Sequence, residues 1–222
     1  SDSRLTRVTI EILGPVPISD VRVSARVVRP GKKIALVQSV LEAKMPDGTW
    51  RDCALGSAWR QATQDTADVV NHANAEVPAH DESTLPDVSL FPIEWMSAGF
   101  VASLDIKVAR TSFTEGEPSI AWMRLARDLV QGEETTALEQ LMALADTTNG
   151  VGARLDPAHF RFLNTEMTVH LYGAPVDDWF GIEAETSVGA DGVGLSASVL
   201  HSTAGPIGRV AQSLLVERVT SS

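Results

Sequence analysis

What most constrains this chain is a rhythm of strands and tight turns that occurs twice, with one helical segment between. Residues 5–13, LTRVTIEIL, alternate: Val8, Ile10 and Ile12 fall on one side, Arg7, Thr9 and Glu11 on the other. A period of two is the mark of a half-buried strand. The alternation returns at 20–29, 34–43 and 49–61, separated by Gly14-Pro15-Val16-Pro17, Pro30-Gly31-Lys32-Lys33 and Met45-Pro46-Asp47-Gly48. Gly and Pro at these places predict turns, so the segment reads as an antiparallel meander. A second set follows at 160–172, 179–188, 193–201 and 207–218. Sliding 5–41 by 159 positions lays it on 164–200 without a gap: Thr9 falls on Thr168, Gly14 on Gly173 and Ser39-Val40-Leu41 on Ser198-Val199-Leu200. For the last strand a shift of 157 puts Ala54 on Ala211 and Leu55 on Gln212. Self-similarity of this kind predicts two copies of one supersecondary unit.

The copies are unequal. Ahead of the second stand two strands, at 94–110 and 119–127, and a helix over 132–152, GEETTALEQLMALADTTNGVG. Leu138, Leu141, Met142 and Ala145 recur at helical spacing, the Glu-Glu-Thr-Thr start offers caps, and Asn149-Gly150 is expected to end the helix. The first copy has no such segment, so an incomplete or otherwise compensated first unit is expected. A helix and a sheet each carry an apolar face that the other can bury, which gives an α+β fold. Residues 63–93 are polar and acidic and read as a surface linker. The division is therefore a first repeat at 1–62, a linker at 63–93 and a second, complete repeat at 94–222.

A net charge of −11 argues against nucleic acid and anionic membrane as partners, since both need Lys/Arg patches. One local basic cluster would still suffice for an anionic small molecule. No apolar run approaches the roughly 18 residues of a spanning helix. The single Cys53 cannot form an intrachain disulfide, which points to a reducing cytoplasm. His72 and His80 lack the company that metal ligands keep, so no metal and no cofactor are expected.

Three runs in the second half, LVQGEETTALEQLMALADTTNGVGARLDP, FLNTEMTVHL and DGVGLSASVLHSTAGPIGRVAQSLLV, resemble the thioesterase II-like acyl-CoA thioesterases. The N-terminal RVTIEILGPVPISDVRVSARVVRPGKKIALVQSVLEA resembles the first meander of the same family. The resemblance implies a double hotdog fold, in which each repeat is a curled antiparallel sheet around a central helix. It also implies hydrolysis of acyl-CoA to free acid and CoA by an Asp near the helix end, with a Ser/Thr and a Gln on neighbouring strands. Asp146 and Gln212 match two of these positions. At the third, the family's threonine is matched by Asn164, with Thr165 and Thr168 nearby.

The residues themselves lend support. A carboxylate at a helix C-terminus opposes the macrodipole, so Asp146 is poorly placed for stability alone. By the shifts above, Asn164 corresponds to Leu5 and Gln212 to Leu55, so the polar set exists only in the second half, and one active site per chain is expected. Asp146 would act as general base on a water held by Asn164 and Gln212. Arg124, Arg127, Arg154 and Arg161 are candidates for the CoA phosphates. Exposed edge strands favour a homodimer or larger assembly. Two other classes compete: a hotdog enoyl-CoA hydratase, and a non-catalytic acyl-binding or oligomerisation module. The hydratase resemblance would require an Asp-x-Asn-Pro-x-His word, whereas the position five after Asp146 is Val151.

Overall fold

The computed structural model describes residues 2–81, 99–111 and 116–219. The first meander is β1 (Ser3–Ile12), β2 (Val21–Arg29), β3 (Ile34–Lys44) and β4 (Trp50–Ala62). Next come β5 (Leu104–Arg110), β6 (Ser119–Leu125), α1 (Ala137–Ala145) and α2 (Thr148–Val151). The chain ends with β7 (Phe160–Asn164), β8 (Glu166–Leu171), β9 (Phe180–Val188), β10 (Val193–Ser202) and β11 (Gly205–Arg218). The expected strand residues 94–98 and the linker residues 82–93 lie outside the described residues.

All the strands join one antiparallel sheet in the order β2-β3-β4-β1-β8-β11-β10-β9-β6-β5, with β7 pairing β11 beside β8. The two meanders meet where β1 pairs β8. Arg7 faces His170, Thr9 faces Thr168 and Glu11 faces Glu166, so the register is symmetric about Thr9 and Thr168, whose hydroxyls lie 3.3 Å apart. The shift of 159 carries Val21–Arg29 onto Phe180–Val188. It also carries irregularities onto irregularities. The register step between Leu5 and Arg7 falls at the break between Asn164 and Glu166, and the step at Leu41/Glu42 falls at Leu200/His201.

The last strand corrects the sequence alignment. Leu41 pairs Ala54 while Leu200 pairs Gly208, so along β4 and β11 the shift is 154, not 157. Gln212 therefore corresponds to Ala58 rather than Leu55. The cause is the turn: the first meander spends 45–49 between its last two strands, the second only Thr203 and Ala204. Ala58 is as apolar as Leu55, so the polar set still lacks a counterpart in the first arm.

The expected single helix over 132–152 is also corrected. Helix α1 begins at Ala137, where Thr136 and Glu139 form a reciprocal capping box, and it breaks at Asp146-Thr147. Asn149-Gly150 lies inside α2, which ends at Gly152 with φ of −85°, so no left-handed stop occurs there. Gly152 is required by packing instead: a Cβ there would meet the Glu185 backbone at 3.1 Å. Helix α1 packs on β6 and β9, and α2 on β9, β10 and β11. Leu141, Leu144, Ala145 and Val151 are buried against Met123, Phe180, Ile182, Leu200 and Val210. Among the described residues no helix covers the matching face of the first arm, where Val21, Val23 and Val27 are 52, 69 and 59 % exposed.

The described part of the linker, 63–81, crosses the opposite, outer face of the second arm. Asn74 accepts from Arg209, Trp122 Nε1 donates 2.8 Å to Pro78 O, and the His80 ring stacks 5.3 Å from Trp179. Beneath it His201 is fully buried, with Nε2 3.4 Å from the Glu183 carboxylate. Burial pushes the imidazole pKa below its ordinary value, and Glu183 offsets only part of that shift. The unfolded chain therefore binds a proton at a pH where the folded chain does not. Stability is complete above the ordinary histidine value of about 6.5 and falls as the pH drops from there toward the depressed folded value. We predict a melting temperature that declines below about pH 6.5, with a shallower decline in His201→Gln; equal slopes would exclude His201 as the cause.

Candidate active site

The site forms where two regular elements break. At the end of helix α1 three carbonyls are met by side chains. Thr147 Oγ1 donates 2.7 Å to Leu144 O, and Thr148 Oγ1 donates 2.8 Å to Ala145 O. The third, Asp146 O, accepts 3.2 Å from Gln212 Nε2 on β11. Buried Thr147 and Thr148 thus end α1 without a glycine, and Thr148 is tied 3.1 Å to Ser198 on β10. The turn leaves the Asp146 side chain at the surface, aimed at the sheet.

The sheet has its own gap there. The ladder between β11 and its neighbours is interrupted at Thr165, with β7 on one side and β8 on the other. Ser213 N–H, which would face the gap, donates 2.8 Å to Glu166 Oε1 instead. Asn164 is the last residue of β7 and pairs with Leu214, which puts it on the same face as Gln212 two residues away. Asn164 Nδ2 donates 2.9 Å to Asp146 Oδ1, and Gln212 Nε2 approaches the same oxygen at 3.3 Å. The sequence-derived residues Asp146, Asn164 and Gln212 are thus brought together.

Their hydrogen bonding distinguishes them. Gln212 is fully buried, and its Oε1 accepts 3.0 Å from Asn149 N–H. A backbone N–H can only donate, so the carbonyl end must face Asn149 and the NH2 end must face Asp146. Both ends of the Gln212 amide thus have protein partners, and the side chain is fully buried. Asn164 uses one of two N–H groups and keeps its carbonyl free. Among the described residues no donor lies on Asp146 Oδ2. One carboxylate oxygen is fixed by two amides, while the other is open.

Sequence reasoning missed Asn149, which orients Gln212, and the two threonines that end α1. The run Ala-Asp-Thr-Thr was the available signal, since threonine hydroxyls bond to carbonyls three or four residues back. Of the four arginines named for CoA phosphates, three are engaged or turned elsewhere. Arg124 pairs with Asp105 at 2.7 Å and lies over Trp179, Arg154 donates to Glu117 O, and exposed Arg161 alternates onto the face opposite Asn164. Among the described residues no group of acidic, His and Cys side chains could hold a metal ion.

The acyl-CoA thioesterase N-terminal domain profile matches residues 1–61 and the C-terminal domain profile matches 73–216. The chain belongs to the acyl-CoA thioesterase family. It is a thioester hydrolase. Solved structures agree on the fold. A candidate thioesterase from Novosphingobium aromaticivorans superposes with a TM-score of 0.72 at 16% identity, over 95% of this chain and 79% of that one. A hot dog fold protein of unknown function from Alicyclobacillus acidocaldarius gives 0.70 at 16% identity, over 99% and 80%. An acyl-CoA thioesterase II from Mycobacterium marinum gives 0.66 at 14% identity, over 99% and 83%. No curated protein sequence matches. Among the described residues no helix is long and apolar enough to cross a membrane.

The geometry separates support from chemistry. Gln212→Leu strands the Asn149 N–H and the Asp146 carbonyl, so we predict a loss of about 1–3 kcal/mol in urea unfolding. Asn164→Ala, at a half-exposed position, should cost well under half of that. Equal costs would show that the two amides play the same part.

Proposed function

We propose that Asp146 is the general base of acyl-CoA thioester hydrolysis and that its open Oδ2 takes the proton of the attacking water. The observation that carries this reading is the convergence of both amides on Oδ1. Two N–H donors on one oxygen hold the carboxylate in a single rotamer and leave the second oxygen with no competing bond. Asn164 is the water-orienting group: its free carbonyl can accept from the same water, and its spare N–H can donate. An amide can fill the place of the family's threonine here, because only an acceptor beside the water is needed. Gln212 is a positioning residue, which revises the expectation that it holds the water.

The reaction adds hydroxide from this water to the thioester carbonyl, and collapse of the tetrahedral intermediate expels the CoA thiolate. The proton on Asp146 is then available to the thiolate or to solvent. The substrate is a fatty or other acyl-CoA. We read the mirrored orders β2-β3-β4-β1 and β9-β10-β11-β8 as a double hotdog, divided at 1–62, 63–93 and 94–222. The edge of β2, unpaired among the described residues, and its apolar face favour a homodimer or larger assembly, and the free Cys53 suits the cytoplasm.

Activity decides among the classes. Asp146→Asn keeps both amide contacts but removes the base, and should lower kcat by about 10²–10⁴ with the fold intact. The measurement is CoA release from acyl-CoAs of several chain lengths. Release that persists in the mutant sinks the assignment, and hydration of an enoyl-CoA by the wild type would install the hydratase reading.

A further inference from the structure

The outer face of the sheet carries a second feature, on the side away from Asp146. The seam register sets Arg7 of β1 opposite His170 of β8, and His170 opposite Arg209 of β11, so three basic positions form one cross-strand row. This row occurs in a chain of net charge −11, counted with histidine neutral. Arg4 reaches into the same place from the end of β1 and donates to the carbonyl of Tyr172, whose ring lies against that of His72. None of Arg4, Arg7 or Arg209 makes an ion pair among the described residues. Arg7 donates 3.3 Å to Ser57, and Arg209 donates 3.0 Å to Asn74 of the linker. Among the described residues Arg4 Nη1 and Arg7 Nε are buried without a hydrogen-bond partner.

His170 and Arg209 of the row, with Asn74 and Thr168, line a cavity of about 410 Å³, and Arg4 and Arg7 stand outside its lining. The far wall carries Glu183 and Glu185. Glu183 lies two strands from Arg209 through Val199 and is already engaged by Arg110 and His201. The basic wall of the cavity is therefore the one formed by β8 and β11. On the other side of the Thr9–Thr168 axis the same register opposes Glu11 to Glu166, so the seam is polarised along its length.

We propose that this row is a phosphate-binding site. Guanidinium groups that have no ion-pair partner among the described residues, a neighbouring imidazole and an amide make the donor set that phosphate oxygens take. The phosphate has two possible sources, the phosphates of the CoA substrate or a separate nucleotide-like effector. Both share the recognition chemistry, and the experiment tells them apart.

The test is direct titration of the full chain with adenosine 3′,5′-bisphosphate and with pyrophosphate at low salt, followed by calorimetry. Saturable binding that weakens about tenfold or more in Arg7→Gln and in Arg209→Gln supports the site. Failure of the wild type to bind at millimolar ligand, or equal binding by the variants, overturns it. If Arg7→Gln loses its native melting transition, Arg209→Gln carries the test, since that side chain is exposed. The source is read from kinetics. A raised KM for acyl-CoA with no change for the acyl-N-acetylcysteamine thioester assigns the phosphates to the substrate. Bisphosphate binding that does not compete with acyl-CoA assigns them to an effector. Binding is measured without turnover, so Asp146→Asn should bind as the wild type does, whatever becomes of the hydrolytic assignment.

Discussion

The pairing of β1 with β8 is the contact on which the rest of the molecule depends. Without it the chain would hold two separate meanders, and the first would have little apolar cover of its own. With it the two arms form one ladder from β2 to β5, centred on Thr9 and Thr168. A ladder fixes register residue by residue, and a slip of one would move every side chain to the wrong face. The seam therefore determines which residues of β8 and β11 look inward to the helices and which look outward. Ile10, from the first arm, packs at the edge of the core of the second.

That division of faces makes the candidate site affordable in free energy. A buried glutamine on a core strand is costly unless each of its polar groups is met. Gln212 meets all of them at one place: the Asn149 N–H, the Asp146 carbonyl and the Asp146 carboxylate. These three partners exist because α1 stops at Asp146 and α2 starts two residues later. A continuous helix would have consumed the Asn149 N–H and the Asp146 carbonyl internally. The break in the helix and the buried glutamine thus explain each other, and the carboxylate is held by the same contacts that close the helix end.

Much of this was legible in the sequence, for reasons that are local. Alternation marked the strands of both meanders and Gly/Pro turns marked most of their ends, although 160–172 read as one strand where the structure has β7 and β8. The shift of 159 was visible because β1 to β3 and β7 to β10 keep their turn lengths. The last strand misled because a chance match of Ala54 with Ala211 outweighed a turn whose length had changed. The break at Asp146, signalled only by the Ala-Asp-Thr-Thr run, was harder to read for a different reason. Threonine is not a strong helix breaker, and Thr147 and Thr148 act through buried hydroxyls whose partners only the folded core supplies. The linker was read as a solvated strap from its polarity, yet its Pro78 carbonyl satisfies an indole N–H buried on β6. The basic row was beyond any one-dimensional reading, since Arg7, His170 and Arg209 become neighbours only through the seam.

The arms share even their defects, and this bears on how a site can arise. The register step between Leu5 and Arg7 sits where β7 gives way to β8, although among the described residues no helix accompanies it in the first arm. The interruption is thus a property of how these strands bend and pair, present whether or not chemistry is done beside it. In the second arm the same interruption has Asn164 where the first has Leu5, Gln212 where the first has Ala58, and a helix end above it. A gap in a ladder is where a strand residue can turn its side chain to a new partner without giving up a backbone bond that the sheet needs. The polar set occupies a position the sheet had already left open, which is why three residues suffice to tell one arm from the other.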